Sequence, residues 1–435
     1  MKLPRDEAPP FEKVAVCIHC GLCLEACPTY RELRVEMDSP RGRIYFLKGL
    51  LNERIDPAGT VLGHIDRCLA CRACETACPS GVEYGLLMER MRSALEPGRS
   101  RSRAVRALRW FVFRKLFFSR RLQGWVFKAL WLQQALGMTA VGRWLGRRGL
   151  LPGRLSAAAA QAPRVPFRSF RAARRDALDP ASGILRFPAR GRRRFRVALF
   201  TGCVADQLLA GVNEATVRVL TENGCEVEVL PGERCCGALH IHNGELQGAR
   251  ELARLNVEAF GRGGYDAIVS NAAGCSAELR HYDRLLEGDR EAEAFSRKVR
   301  DLSEWLEEIG WTPPAGALPA TVAYDDPCHL VHAQKISGPP RAVLSKIPGI
   351  RLVSLEESDA CCGSAGVYSV VEPDLSGRIL ARKIEFIRRS GCDTVATGNP
   401  GCILQIRRGL REAGLPVRVA HPAELLAESY ERQGR

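Results

Sequence analysis

Eight of the 18 cysteines in this 435-residue chain fall in two runs of identical spacing. The first is Cys17-Ile-His-Cys20-Gly-Leu-Cys23-Leu-Glu-Ala-Cys27-Pro28, and the second is Cys68-Leu-Ala-Cys71-Arg-Ala-Cys74-Glu-Thr-Ala-Cys78-Pro79. The spacing C-x2-C-x2-C-x3-C-P lets the first three thiolates wrap one cubane [4Fe–4S] cluster from a single turn. The fourth cysteine starts a helix and points elsewhere; in two-cluster proteins it ligates the other cluster. The expected ligand sets are therefore Cys17, Cys20, Cys23 and Cys78 for cluster one, and Cys68, Cys71, Cys74 and Cys27 for cluster two. Zinc sites more often use two separated pairs than four cysteines in one run.

Eight further cysteines occur in a repeated order. Cys203, Cys235-Cys236-Gly237 and Cys275 are followed by Cys328, Cys361-Cys362-Gly363 and Cys402, offset by 125 (203 to 328), 126 (235 to 361) and 127 (275 to 402) residues. Such an offset marks an internal duplication. An adjacent Cys-Cys pair strains an ordinary disulfide but offers two thiolates side by side. The glycine after it lets a cluster or substrate approach closely. These eight are candidate metal ligands, with iron the leading expectation and zinc or metal-free thiols the alternatives. His240, His242, His329 and His332 follow these cysteines, as ligands or proton donors or, the reading favoured slightly, as hydrogen-bonded structural groups. Cys225 and Cys392 lie in or beside expected strands and are read as core residues.

The elements that must position these groups differ along the chain. Between the first two runs, Ser39 caps a helix with Pro40 at its first position, and Ile44, Leu47, Leu50 and Leu51 recur at helical spacing. From Phe195 onward, short β-branched runs alternate with helical patterns, the mark of α/β units. Strands are expected at 196–200, 225–230, 266–270, 321–324, 350–354 and 393–396, and helices at 206–222, 246–260 and 375–389. The repeated cysteines fall just after strands, where open α/β sheets place ligand sites. Two similar lobes are expected to pack with these loops facing one cleft.

Composition is that of an ordinary globular chain, 46% hydrophobic and 26% charged. The start runs into charge and proline rather than an apolar stretch, so a reducing cytoplasm is expected. The net charge of +15 is local: residues 99–196 hold 25 Lys and Arg against Asp176 and Asp179, a charge of +23. There, Trp110-Phe-Val-Phe-Arg-Lys-Leu-Phe-Phe118 and Trp125-Val-Phe-Lys-Ala-Leu-Trp131 interleave aromatic and basic residues. No apolar run is long enough to span a bilayer. A basic amphipathic helix on an anionic membrane face, or docking to a partner, is expected ahead of plain helical packing, with nucleic acid last. Residues 157–194 read as a partly disordered linker rich in Ala, Pro and Arg. There is no dinucleotide fingerprint, P-loop or H-E-x-x-H motif.

The paired runs with a helical insert look like the α-helical ferredoxin of respiratory dehydrogenase iron–sulfur subunits. The repeats resemble the cysteine-rich CCG domain of heterodisulfide reductases, whose full motif ends in C-x2-C and holds a noncubane cluster in some members. Here the first cysteine of that pair is replaced by Ala272 and Asn399. Ser39-Pro-Arg-Gly-Arg-Ile44, Asp326-Pro-Cys-His-Leu-Val-His-Ala-Gln334, Ala360-Cys-Cys-Gly-Ser-Ala-Gly366 and Thr397-Gly-Asn-Pro-Gly-Cys402 resemble the glycolate oxidase (glycolate dehydrogenase) iron–sulfur subunit family. The resemblance implies an α-helical ferredoxin-like domain with two [4Fe–4S] motifs over 1–98 and a basic segment over 99–196. Two α/β CCG domains follow over 197–320 and 321–435. It also implies a flavoprotein partner carrying FAD, and a chain that passes electrons toward quinone or another membrane acceptor without binding nucleic acid. The expected location is cytoplasmic, peripheral at the inner face of the membrane. Iron–sulfur subunits of lactate and glycerol-3-phosphate dehydrogenases share this architecture. A catalytic heterodisulfide-reductase-like subunit is the rival reading.

Overall fold

A computed structural model describes residues 7–57, 59–150 and 162–434. From residue 7 to 98 every regular element among them is helical. The Ser39 hydroxyl accepts from the Gly42 N–H at 3.0 Å, and Pro40 opens the helix Pro40–Leu51. Gly42 has no alternative, because a Cβ there would lie 2.1 Å from the Glu36 carbonyl oxygen. That helix buries Ile44, Leu47 and Leu50 against Ile65, Leu87, Met88, Met91 and Leu95, and the two cysteine runs wrap this small core.

The α/β part holds two sheets. β1 (Leu185–Phe187), β2 (Phe195–Phe200), β3 (Cys225–Val229), β4 (Ala267–Ser270) and β5 (Val299–Asp301) lie in the order β1-β3-β2-β4-β5. β6 (Ala320–Tyr324), β7 (Ile350–Val353), β8 (Thr394–Ala396) and β9 (Arg418–Ala420) lie in the order β7-β6-β8-β9. All pairings are parallel except β1 with β3. The series β3-β2-β4-β5 and β7-β6-β8-β9 are the same, so the duplication read from the cysteines extends to the strand order. The helices Ala210–Glu222 and Pro422–Arg432 pack together between the sheets, and one core takes in Val197 and Leu199 from the first sheet with Val322 and Tyr324 from the second. Cys225 and Cys392 are buried in apolar clusters, as expected.

Three features depart from the sequence reading. The expected helix over 206–222 is interrupted at Leu209 (φ −129°, ψ 45°), giving Cys203–Leu208 and Ala210–Glu222. β5 and β9 leave no strand signal in the sequence, because each is three residues long and carries charge (Val-Arg-Asp, Arg-Val-Ala). The expected linker is in large part built structure. Residues 151–161 lie outside the described residues, but Phe170 is fully buried and stacks near Phe187 of β1, which adds an antiparallel edge to the first sheet.

The basic segment forms the helices Arg103–Phe111, Arg120–Ala135 and Met138–Arg147, with a wider π turn at Val112–Leu116. One side of this arm packs on the first repeat. Phe113 is buried edge-on to His240, Arg109 donates to the Asn243 carbonyl at 3.0 Å and Arg120 donates to the Glu233 carbonyl at 2.7 Å. Much of its other side is exposed. Among the described residues no helix is long and apolar enough to cross a membrane.

Candidate iron–sulfur centres

Both N-terminal runs use the same backbone device. His19 and Ala70, each two residues after the first cysteine, adopt left-handed φ values of 56° and 54°. Gly21 and Arg72, each one residue after the second cysteine, follow at 85° and 62°. Two left-handed positions in four residues curl the loop tightly enough to turn successive thiols inward, and non-glycine residues at three of them are strained. Cys27, Cys68, Cys71 and Cys74 come together: burial drives the Cys71 and Cys74 thiols well above their ordinary pKa, and the neighbouring thiols of this set add to it. Cys23 is raised to about 11 by burial, with Cys17 close by. Cys78 packs on the same apolar core as Cys17 and Cys23, while Cys20 is exposed.

In each repeat, four thiols converge from the carboxyl ends of three adjacent strands. Cys203 follows β2, Cys235 and Cys236 follow β3, and Cys275 follows β4; the Cys203 and Cys235 sulfurs are 3.7 Å apart. Cys236 lies close enough to both Cys235 and Cys275 to act on their titration. Cys328, Cys361, Cys362 and Cys402 make the corresponding chain after β6, β7 and β8, with Cys361 beside Cys328 and Cys362 beside Cys402. The pair loop of the first repeat is fixed from behind: Asn256 donates to the Cys235 carbonyl at 3.0 Å and Tyr282 to the Cys236 carbonyl at 2.8 Å. Gly363 (φ 84°) leaves no room for a Cβ, which would lie 2.8 Å from the Ser376 carbonyl oxygen.

The donor chemistry fits iron. Hydrogen bonds to Cys235, Cys328, Cys361 and Cys362 respectively, and then burial, push Cys203, Cys361, Cys362 and Cys402 well above the usual thiol range, apart from opposing bonds such as that from Cys402 to Cys362. Such thiols stay protonated unless a metal takes the thiolate. Among the described residues no three His, Cys, Asp or Glu side chains are disposed to share one metal ion, in the N-terminal runs or in the repeats. The position of the family's missing cysteine is used otherwise. Ala272 is buried, and Asn399 donates to the Cys402 sulfur at 3.5 Å while accepting from the Gly274 N–H across the repeat boundary at 3.1 Å. The two sets of loops meet in direct hydrogen bonds at this boundary.

Buried cations stand beside the thiols. Arg43, 1% exposed, lies near Cys27 and Cys68 and bonds Thr29, Asp38 and the His64 carbonyl. Arg120, from the arm, lies near Cys203 and Cys235, and Lys383 lies near Cys362 and Cys402 while pairing with Asp325 at 2.9 Å. Residue spacing gave no sign of these three. Arg43 sits in the quoted Ser-Pro-Arg-Gly-Arg string, but only the fold shows what it faces. Of the histidines, His240 meets the Phe113 carbonyl at 2.7 Å, and His332 bridges Thr76 and the Asp359 carbonyl, both at 3.0 Å. His329 lies 3.5 Å from the Cys328 sulfur and packs on His242 across the repeats, rings 5.4 Å apart.

The thiol sets are not isolated from one another. Cys71 lies close enough to Cys361 and Cys328 to act on their charge. Leu69, Cys71 and Ala73 share an apolar cluster with Cys361, Tyr368, Leu375 and Ile379. Tyr368 donates to the Arg67 carbonyl at 3.1 Å, and the pairs Arg31–Glu357 and Arg378–Glu32 close this junction.

Family models match the chain in the same order. A 4Fe-4S dicluster domain covers residues 13–82, a glycolate oxidase iron-sulfur subunit linker region covers 104–162, and a cysteine-rich domain covers 197–280 and again 322–407. A probable glycolate oxidase iron-sulfur subunit from Bacillus subtilis (strain 168) is 37% identical over 95% of this chain and 93% of its own. The glycolate oxidase iron-sulfur subunit of Escherichia coli (strain K12) is 31% identical over 96% and 94%. A subunit of the fumarate reductase (CoM/CoB) of Methanothermobacter marburgensis is 36% identical over 54% of this chain and 46% of its own. With a dicluster module, a matching linker and two cysteine-rich repeats, and with relatives alike from end to end, this chain belongs to the glycolate oxidase iron–sulfur subunit family.

Proposed function

We propose that this chain is the electron-transfer subunit of a glycolate oxidase complex. A separate flavoprotein takes both electrons of glycolate onto its flavin and releases glyoxylate, and this chain carries them one at a time toward a membrane acceptor, a quinone. Bound at the two N-terminal thiol sets, with Cys17, Cys20, Cys23 and Cys78 as one and Cys68, Cys71, Cys74 and Cys27 as the other, cubane clusters supply one-electron chemistry. The two repeats hold further iron. Cys20 is exposed and its neighbours Ile18 and Leu22 present apolar surface, which suits docking of the flavoprotein. Arg43, Arg120 and Lys383 offset the negative charge of iron–thiolate sites and keep their potentials within reach of the donor.

The single observation that carries this reading is the junction of Cys71 with Cys328 and Cys361. It supports a path that runs from the N-terminal module into the second repeat. The test uses the complex purified with its flavoprotein. Cys71→Ser should abolish glycolate-dependent quinone reduction while the flavin is still reduced by glycolate. Unchanged quinone reduction would overturn the proposal.

A further inference from the structure

The arm's outer side carries a groove of about 560 Å³ between the Arg120–Ala135 helix and residues 166–175. Its lining includes Arg120, Arg121, Lys128, Arg168 and Arg175, with no acidic residue among them. Arg120 is paired with Glu233, but the other four are exposed and form no ion pair among the described residues. The rim is aromatic and also exposed: Trp125 at 71% and Phe167 at 56%. Lys128 stands over the Trp125 ring at 5.3 Å and Arg168 over Phe167 at 5.9 Å. The pattern recurs along the arm, with Lys115 over exposed Trp110 and Arg148 over exposed Trp144.

We infer that this groove and its rim are a docking face for an anionic phospholipid bilayer. Cations without acidic partners, gathered in a concavity, fit headgroup phosphates. Tryptophans with a cation on the ring fit the headgroup boundary, where an apolar body and a charged tip are both satisfied. Exposed aliphatic residues on the same arm, Leu136 and Val141, gain from hydrocarbon and have nothing to offer a nucleic acid. The groove floor includes Gln207, one helical turn past Cys203 in the Cys203–Leu208 helix, so the lipid face lies one turn from the first repeat's thiols. This deepens the proposed function, on which it rests for the destination of the electrons.

The test is flotation of the full-length, cluster-loaded chain with phosphatidylcholine vesicles, with and without phosphatidylglycerol. The chain should float with the anionic vesicles and not with the neutral ones, and salt should release it. Each neutralised cation should weaken binding roughly fivefold, so the triple variant R121Q/K128Q/R175Q should lose roughly a hundredfold. Trp125→Ser should weaken binding at unchanged charge. Iron content and dye reduction by the flavoprotein complex should stay as in the parent, which shows that the exposed substitutions leave the fold intact. Equal binding to neutral vesicles, or an unaltered triple variant, would overturn the inference. So would a triple variant that loses its flavoprotein when the parent never floats, since the face would then belong to a partner protein. Loss of dye reduction with flotation intact would sink the electron-transfer reading and leave the lipid face standing.

Discussion

Glu233 shows how much of the site depends on residues that carry no metal chemistry. Fully buried, it accepts from the Thr201 N–H at 3.2 Å and the Gly202 N–H at 3.0 Å, setting the loop that presents Cys203. It also faces two guanidiniums, Arg120 from the arm and Arg171. Breaking a buried ionic group by removing one partner costs about 3–5 kcal/mol. Glu233→Gln should therefore lower stability by roughly that amount in a denaturant titration, and Glu233→Asp by less. The cysteines were legible because each ligand type and spacing is local. Glu233, Arg43 and Lys383 were not, because a buried cation or carboxylate acquires its role from residues distant in the chain, 113 positions away for Glu233 and Arg120. Ala272 and Asn399 were legible as a departure from the motif, but not as what they became, a buried apolar residue and a strut between repeats.

At the scale of elements, six parallel strands declared themselves through short runs rich in apolar and β-branched residues, and β2, β3, β4, β6, β7 and β8 all lie within a residue or two of where the pattern put them. The three-residue edge strands β1, β5 and β9 did not, since an edge needs only a few residues and tolerates charge. The helix Pro422–Arg432 illustrates a contact that no pattern could give. Its cap, His421, accepts from the Ala423 N–H at Nδ1 (3.0 Å) and donates from Nε2 to the Asn271 carbonyl of the other repeat (2.8 Å). Only the neutral ring can do both. Burial holds its pKa down at about 4, below the 6.5 expected when unfolded. The unfolded chain thus binds the extra proton between these values, and stability falls as pH drops from 6.5 toward 4, by roughly 3 kcal/mol in full. Denaturant midpoints measured across that window should show the slope. In His421→Asn, a side chain that caps without titrating, the slope should flatten.

The whole molecule is an arrangement of four thiol sets. The N-terminal module abuts the second repeat, the arm clasps the first, and the two repeats share a core through the Ala210–Glu222 and Pro422–Arg432 helices. If iron occupies the repeats as well as the N-terminal runs, anaerobically purified complex should contain clearly more than the roughly eight irons of two cubanes. A count of about eight, with matching acid-labile sulfide, would assign the repeat thiols a role without iron. The duplication and the basic segment were visible in the sequence as offset and charge. Which repeat touches which run was not, because that junction joins Cys71 to residues nearly three hundred positions later.

The exposure of Cys20 has a further consequence when set beside the burial of Cys27, Cys68, Cys71 and Cys74. Oxygen reaches the first set before the second, so the protein should age from one end. With the fourth ligands exchanged as proposed, loss of the outer cluster leaves its loop still anchored through Cys27 to the inner one. A damaged molecule would then keep its empty loop in register, ready to be repaired by fresh iron and sulfide without being unfolded and rebuilt.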